Sequence, residues 1–108
     1  MIVMGVDPGT RVTGYGVVEN SGSHSRLITF GAIRARSDDL PDRLRQIFQE
    51  LRAVIEAHHP DQVAVEQTFF GRNAQSTIKI GEARAVALLA AAIDGIPIAE
   101  YSPSVVKK

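Results

Sequence analysis

Two acids, Asp7 and Glu66, stand in the same setting, each directly after an apolar run: Val3-Met4-Gly5-Val6 before the first, Val63-Ala64-Val65 before the second. Such runs show neither a helical stripe nor strict alternation, which is how core strands covered on both faces read. If the two strands are parallel neighbours, their carboxylates share one rim, about 4.8 Å apart in the pairing direction. Two like charges that close need a counter-charge or a raised pKa, and a divalent cation supplies the counter-charge. No His or Cys accompanies either acid, so the donors favour a hard, oxygen-ligated ion, Mg²⁺ with Mn²⁺ as substitute. Such an ion activates water or steadies a leaving phosphate oxygen. Either acid alone reads as the cap of a turn or helix; the pair reads as a metal site at the carboxyl ends of an α/β sheet.

The residues around the pair extend that chemistry. Gly9, Gly14 and Gly16 let backbone approach a phosphate, although they form neither GxGxxG nor a P-loop. The hairpin from Asp7-Pro8-Gly9-Thr10 to Gly14 also resembles the first phosphate motif of the actin and sugar-kinase superfamily. Those enzymes need a second lobe and a downstream adenosine motif, for which 108 residues leave no room. Phe69-Phe70 follow Glu66 directly, and paired aromatics in an exposed loop suit stacking on unpaired bases, the alternative being a plug over a helix. After Glu66 the cations, Arg72 among them, exceed the acids by two, a bias that a solvated face explains as well as DNA does. His58 and His59, near a helix end, answer the macrodipole, His24 reads as a loop residue, and Glu100 as structural.

The elements that must position these groups are legible from periodicity. Residues 2–6 read as a central strand, 14–19 as a strand paired antiparallel to it through a glycine-bearing loop, and 26–35 as the third strand of a meander. Asp38 or Asp39 caps a helix with Pro41 in its first turn, and Leu40, Leu44, Ile47, Phe48, Leu51, Val54 and Ile55 form its apolar stripe. His58-His59-Pro60 ends it, and 63–66 follow as a strand reached by a crossover, hence parallel. An alanine-rich helix spans 73–93, stopped by Asp94-Gly95. Residues 96–101 form another strand, and Ser102-Pro103 then signal a further helix. A sequence that stops within the first turn of that helix reads as the front of something longer.

Composition sets the outer limits. The chain has 44% hydrophobic, 22% charged and 6% aromatic residues, the profile of one globular domain over residues 1–108 with one core. A chain of this size hides roughly two-thirds of its unfolded surface, too little for a two-lobed enzyme. Twelve basic residues balance twelve acidic ones, so any nucleic-acid binding must be local. The absence of cysteine removes disulfides and thiolate sites and suits a reducing cytoplasm. The first apolar run breaks at Asp7, far short of the roughly 20 residues of a membrane span, and no basic signal-peptide start precedes it. Cytoplasmic localisation without a membrane partner is the expectation.

Four segments in matching order resemble the RuvC family of bacterial Holliday-junction resolvases: Met4 through Gly16, Val65-Glu66-Gln67-Thr68-Phe69-Phe70, the stretch from Asn73-Ala74 to Gly81-Glu82-Ala83-Arg84, and Tyr101 through Lys107. The resemblance implies a ribonuclease H-like α/β fold: a mixed five-stranded sheet, antiparallel meander then parallel strands, flanked by helices and lacking the C-terminal ones. It implies a homodimer that nicks two opposed strands of a four-way DNA junction with Mg²⁺, leaving 5′-phosphate ends, alongside the branch-migration partners RuvA and RuvB. By the same likeness Asp7 and Glu66 are the first two catalytic carboxylates, Phe69 contacts opened bases, Lys107 lies beside the scissile phosphate, and the alanine-rich helix joins the dimer contact. The family completes its site with further aspartates on a C-terminal helix, which this sequence does not contain. Slow or absent cutting by this chain is therefore expected. The alternatives are a non-catalytic junction-binding dimer and a nucleotide-binding fragment of the actin-like superfamily.

Overall fold

The structure, a computed structural model, describes residues 1–66 and 73–101. Seven elements follow one another: β1 (Ile2–Asp7), β2 (Val12–Ser21), β3 (His24–Arg34), α1 (Leu40–His58), β4 (Gln62–Glu66), α2 (Ala74–Ala92) and β5 (Ile98–Tyr101). The strands form one sheet in the order β3-β2-β1-β4-β5. β1 and β3 are antiparallel to β2, while β1-β4 and β4-β5 are parallel. The meander, the crossover and the parallel pairing expected from the sequence are all present.

Side-chain alternation assigns the two faces. Met4 and Val6 of β1, Val17 of β2, Ile33 of β3 and Val63 and Val65 of β4 are buried on one face, where they meet Ile47, Leu51 and Ile55 of α1 and Ala87, Ala90 and Ala91 of α2 in a single core. The intervening positions, including Gly5, Asp7, Gly14, Gly16, Ala32, Arg34 and Glu66, fall on the opposite face by the period-two rule. No described helix covers that face; α1 and α2 pack on each other and on the buried side.

Local chemistry sets the boundaries. Asp39 caps α1 by accepting the Asp42 N–H at 3.3 Å, with Pro41 in the first turn, as Pro suits a position whose N–H has no helical partner. His59 closes the helix in the left-handed conformation at φ 48°, its N–H donating to the Ile55 carbonyl at 2.8 Å. Pro60 follows and prevents continuation. Alanines at 83, 87, 90 and 91 let α2 sit close beneath the sheet, and Arg52 of α1 ties its end by donating to the Ala90 carbonyl and to Asp94, each at 2.9 Å. Hydrogen bonding to Asp94 is the largest cause holding that guanidinium more firmly protonated than usual.

Three details differ from the sequence reading. β2 and β3 pair well beyond their apolar runs, out to Ser21 and His24 around Gly22 at φ 59°, because backbone pairing in a two-stranded ribbon needs no buried side chain. His24 is consequently the first residue of β3 rather than loop. β5 begins at Ile98, since Pro97 cannot donate to a ladder; its carbonyl instead accepts the Val63 N–H at 3.0 Å. The further helix expected from Ser102-Pro103 lies outside the described residues.

Candidate active site at the β1–β4 rim

Asp7 and Glu66 end adjacent parallel strands. The register pairs Val6 with Val65, so the next residue on each strand is one of the two acids, side by side on the uncovered face at the carboxyl end of the sheet. Parallel pairing follows from the α1 crossover, because a strand that returns through a helix on one face must run in the direction of its partner. Asp7 is exposed and Glu66 partly buried. Both line a shallow hollow of about 360 Å³ together with Gly5, Gly14 and Gly16. The glycines keep its floor at backbone level: a Cβ on Gly5 would meet nothing within 4 Å, and one on Gly14 would lie 3.9 Å from the Asp7 Cβ.

The loop after Asp7 is fixed from beneath. Thr13, completely buried, accepts the Gly9 N–H at its Oγ1 (3.1 Å) and donates the same hydroxyl to the Gly9 carbonyl (2.7 Å). Gly9 has no room for a side chain, since a Cβ would stand 2.3 Å from the Val12 carbonyl oxygen. Of the glycines singled out in the sequence, Gly9 thus shapes the loop, while Gly14 and Gly16 shape the hollow. The roles of Thr13 and Gly5 are not evident in the sequence, although Gly5, inside an otherwise bulky apolar run, was the available signal for an uncovered patch.

A carboxylate-only donor pair suits a hard divalent cation. Among the described residues no group of three or more His, Cys, Asp or Glu assembles into a fuller set. Phe69, Arg72 and Lys107 lie outside the described residues. Glu100 is structural, pairing with Arg84 of α2, and His58 sits in the last turn of α1 as the macrodipole argument expects.

Comparison with known proteins places these features in a family. The model of the family described as crossover junction endodeoxyribonuclease RuvC matches residues 3–108. The crossover junction endodeoxyribonuclease RuvC of Shewanella amazonensis is 48% identical over 106 residues, covering 98% of this chain and 61% of the relative. That of Salinibacter ruber is 50% identical over 109 residues, covering 100% and 61%. The solved structure of Thermus thermophilus RuvC in complex with a Holliday junction substrate superposes with a TM-score of 0.92 at 33% identity, covering 99% of this chain and 66% of that one. The chain therefore spans about three-fifths of the length of the curated relatives it matches. It belongs to the RuvC family and has the ribonuclease H-like fold of its resolvases.

Proposed function

We propose that this RuvC-family chain supplies the first two catalytic carboxylates of an endonuclease that resolves four-way DNA junctions in recombination and repair. The observation that carries the reading is the β1–β4 register, which sets Asp7 beside Glu66 on an uncovered rim. The nucleotide-binding and non-catalytic alternatives are not favoured by the family match.

The family's chemistry is metal-dependent, and we take the metal to be Mg²⁺, replaceable by Mn²⁺. When bound, such an ion lowers the pKa of water and neutralises charge on the phosphate oxygens. Asp7 and Glu66 would hold it from neighbouring strands. The Thr13–Gly9 lock keeps the loop after Asp7 from yielding when phosphate approaches, and the glycine floor admits a sugar-phosphate backbone. Water adds to phosphorus and the 3′ oxygen leaves, giving a 5′-phosphate end. Phe69 stacks on bases opened at the crossover, and Arg72 and Lys107 neutralise nearby phosphates. Two carboxylates hold a pair of ions poorly, so efficient cutting depends on ligands beyond Asp7 and Glu66.

Two opposed cuts require two sites, hence a homodimer. The exposed apolar residues Leu89 of α2, at 54%, and Ile93 directly after the helix, at 55%, favour that helix and its end as the contact. RuvA and RuvB as partners and a cytoplasmic location complete the proposal.

The test is a gel assay of this chain on a synthetic four-way junction and on a duplex of equal length, in Ca²⁺ for binding and Mg²⁺ for cutting. Junction-selective binding with slow or absent nicking is expected. Equal affinity for duplex refutes junction recognition, and nicking at the rate of an intact family member refutes the need for further ligands.

A further inference from the structure

Arg34 stands at the end of β3 on the same face and the same rim as the carboxylate pair. The registers place Gly14 opposite both Asp7 and Ala32, and Val12 opposite Arg34. Arg34 is thus two strands from Asp7, about 10 Å in the pairing direction, and two residues further along, about 7 Å. The diagonal between them crosses β2 midway between Gly14 and Val12, both on the uncovered face, with the methyl group of Ala32 to one side; among the described residues Val12 is the one bulky side chain there.

Its backbone is held with unusual care. The Ala35 N–H donates to the Arg11 carbonyl at 2.8 Å, tying the end of β3 to the loop that follows Asp7. Gln46, nearly buried on α1, donates to the Arg34 carbonyl at 2.9 Å and accepts the Arg36 N–H at 3.0 Å. The side chain, by contrast, is exposed. Every other arginine among the described residues has a carboxylate or carbonyl partner; the Arg34 guanidinium has none among them.

We propose that Arg34 binds a backbone phosphate of the DNA strand whose scissile bond lies at Asp7 and Glu66, one or two nucleotides from the cut. A fixed backbone with a free guanidinium, joined to a carboxylate pair by a floor of Gly14 and Ala32 edged by Val12, suits a phosphodiester: the phosphate takes the fork of donors while the strand crosses Gly14 and Ala32 alongside Val12. The contact rests on the nuclease reading above, and it neutralises charge without reading sequence.

The experiment measures the affinity of the chain for a four-way junction and for a duplex across salt concentrations in Ca²⁺, with Arg34→Gln, Arg34→Lys and, as a control, Arg26→Gln at the far end of the ribbon. One lost phosphate contact makes the slope of log K against log salt shallower by about 1 and weakens binding by about 8-fold near 0.1 M salt. Arg34→Gln should show both changes on either DNA, Arg34→Lys should keep the slope, and Arg26→Gln should match the unaltered chain. The proposal is overturned if Arg34→Gln keeps the original slope, or if Arg26→Gln loses as much. Should the chain not distinguish junction from duplex while Arg34→Gln still flattens the slope, the contact stands and the junction reading falls. An absence of all DNA binding removes both.

Discussion

The Thr13 hydroxyl closes on Gly9 from both sides, accepting its N–H at 3.1 Å and donating to its carbonyl at 2.7 Å. The loop that aims Asp7 is therefore held by one buried side chain four residues downstream. Replacing Thr13 with Val keeps the shape and removes both bonds, stranding two partly buried backbone groups. We expect a loss of about 1–3 kcal/mol in urea unfolding, largely restored by Thr13→Ser, which keeps the oxygen.

Two glycines separate folding from function. Gly9→Ala drives a methyl group into the Val12 carbonyl, a backbone atom that cannot swing aside, and should lower stability by about 2 kcal/mol or more. Gly5→Ala projects into open space and should leave stability unchanged or raise it by about 0.5 kcal/mol. Because Gly5 floors the hollow beside the acids, Gly5→Ala should nonetheless weaken DNA binding. Thermal melts together with a binding titration check both.

Leu51 is 1% exposed at the centre of the α1 face that meets the sheet. Leu51→Ala should cost about 2–5 kcal/mol, read from a two-state denaturant curve.

The dimer proposal has its own test in Leu89, half exposed on α2. A charge at an apolar contact must be desolvated without a partner, so Leu89→Glu should shift sedimentation toward monomer while the melting temperature stays within a few degrees.

Much of this arrangement was legible beforehand. Asp7 and Glu66 were found because each ends an apolar run, and the α1 crossover then dictates parallel strands and a shared rim. Asp39 and Pro41 announced the start of α1 through cap chemistry. What escaped was whatever depends on register. That Arg34 shares the rim with Asp7 follows only once Val12 is known to face it, a consequence of β2 starting two residues before its first glycine. Thr13 reads as an ordinary strand residue until its hydroxyl is seen beneath Gly9. The outer part of the β2–β3 ribbon is not legible because its residues are polar and exposed, joined by the backbone ladder and by surface contacts such as Arg26–Glu19 and Ser25–Asn20 rather than by an apolar pattern.

The central claim is that Asp7 and Glu66 act together on one divalent ion. Mn²⁺ binding to the chain, followed by the relaxation of water protons and competed with Mg²⁺, tests it without requiring cleavage. Asp7→Asn and Glu66→Gln should each weaken Mn²⁺ binding by about tenfold or more, with little further loss in the double variant, because the two carboxylates form one site. Unchanged Mn²⁺ binding in Asp7→Asn, or losses that simply add in the double variant, would contradict it.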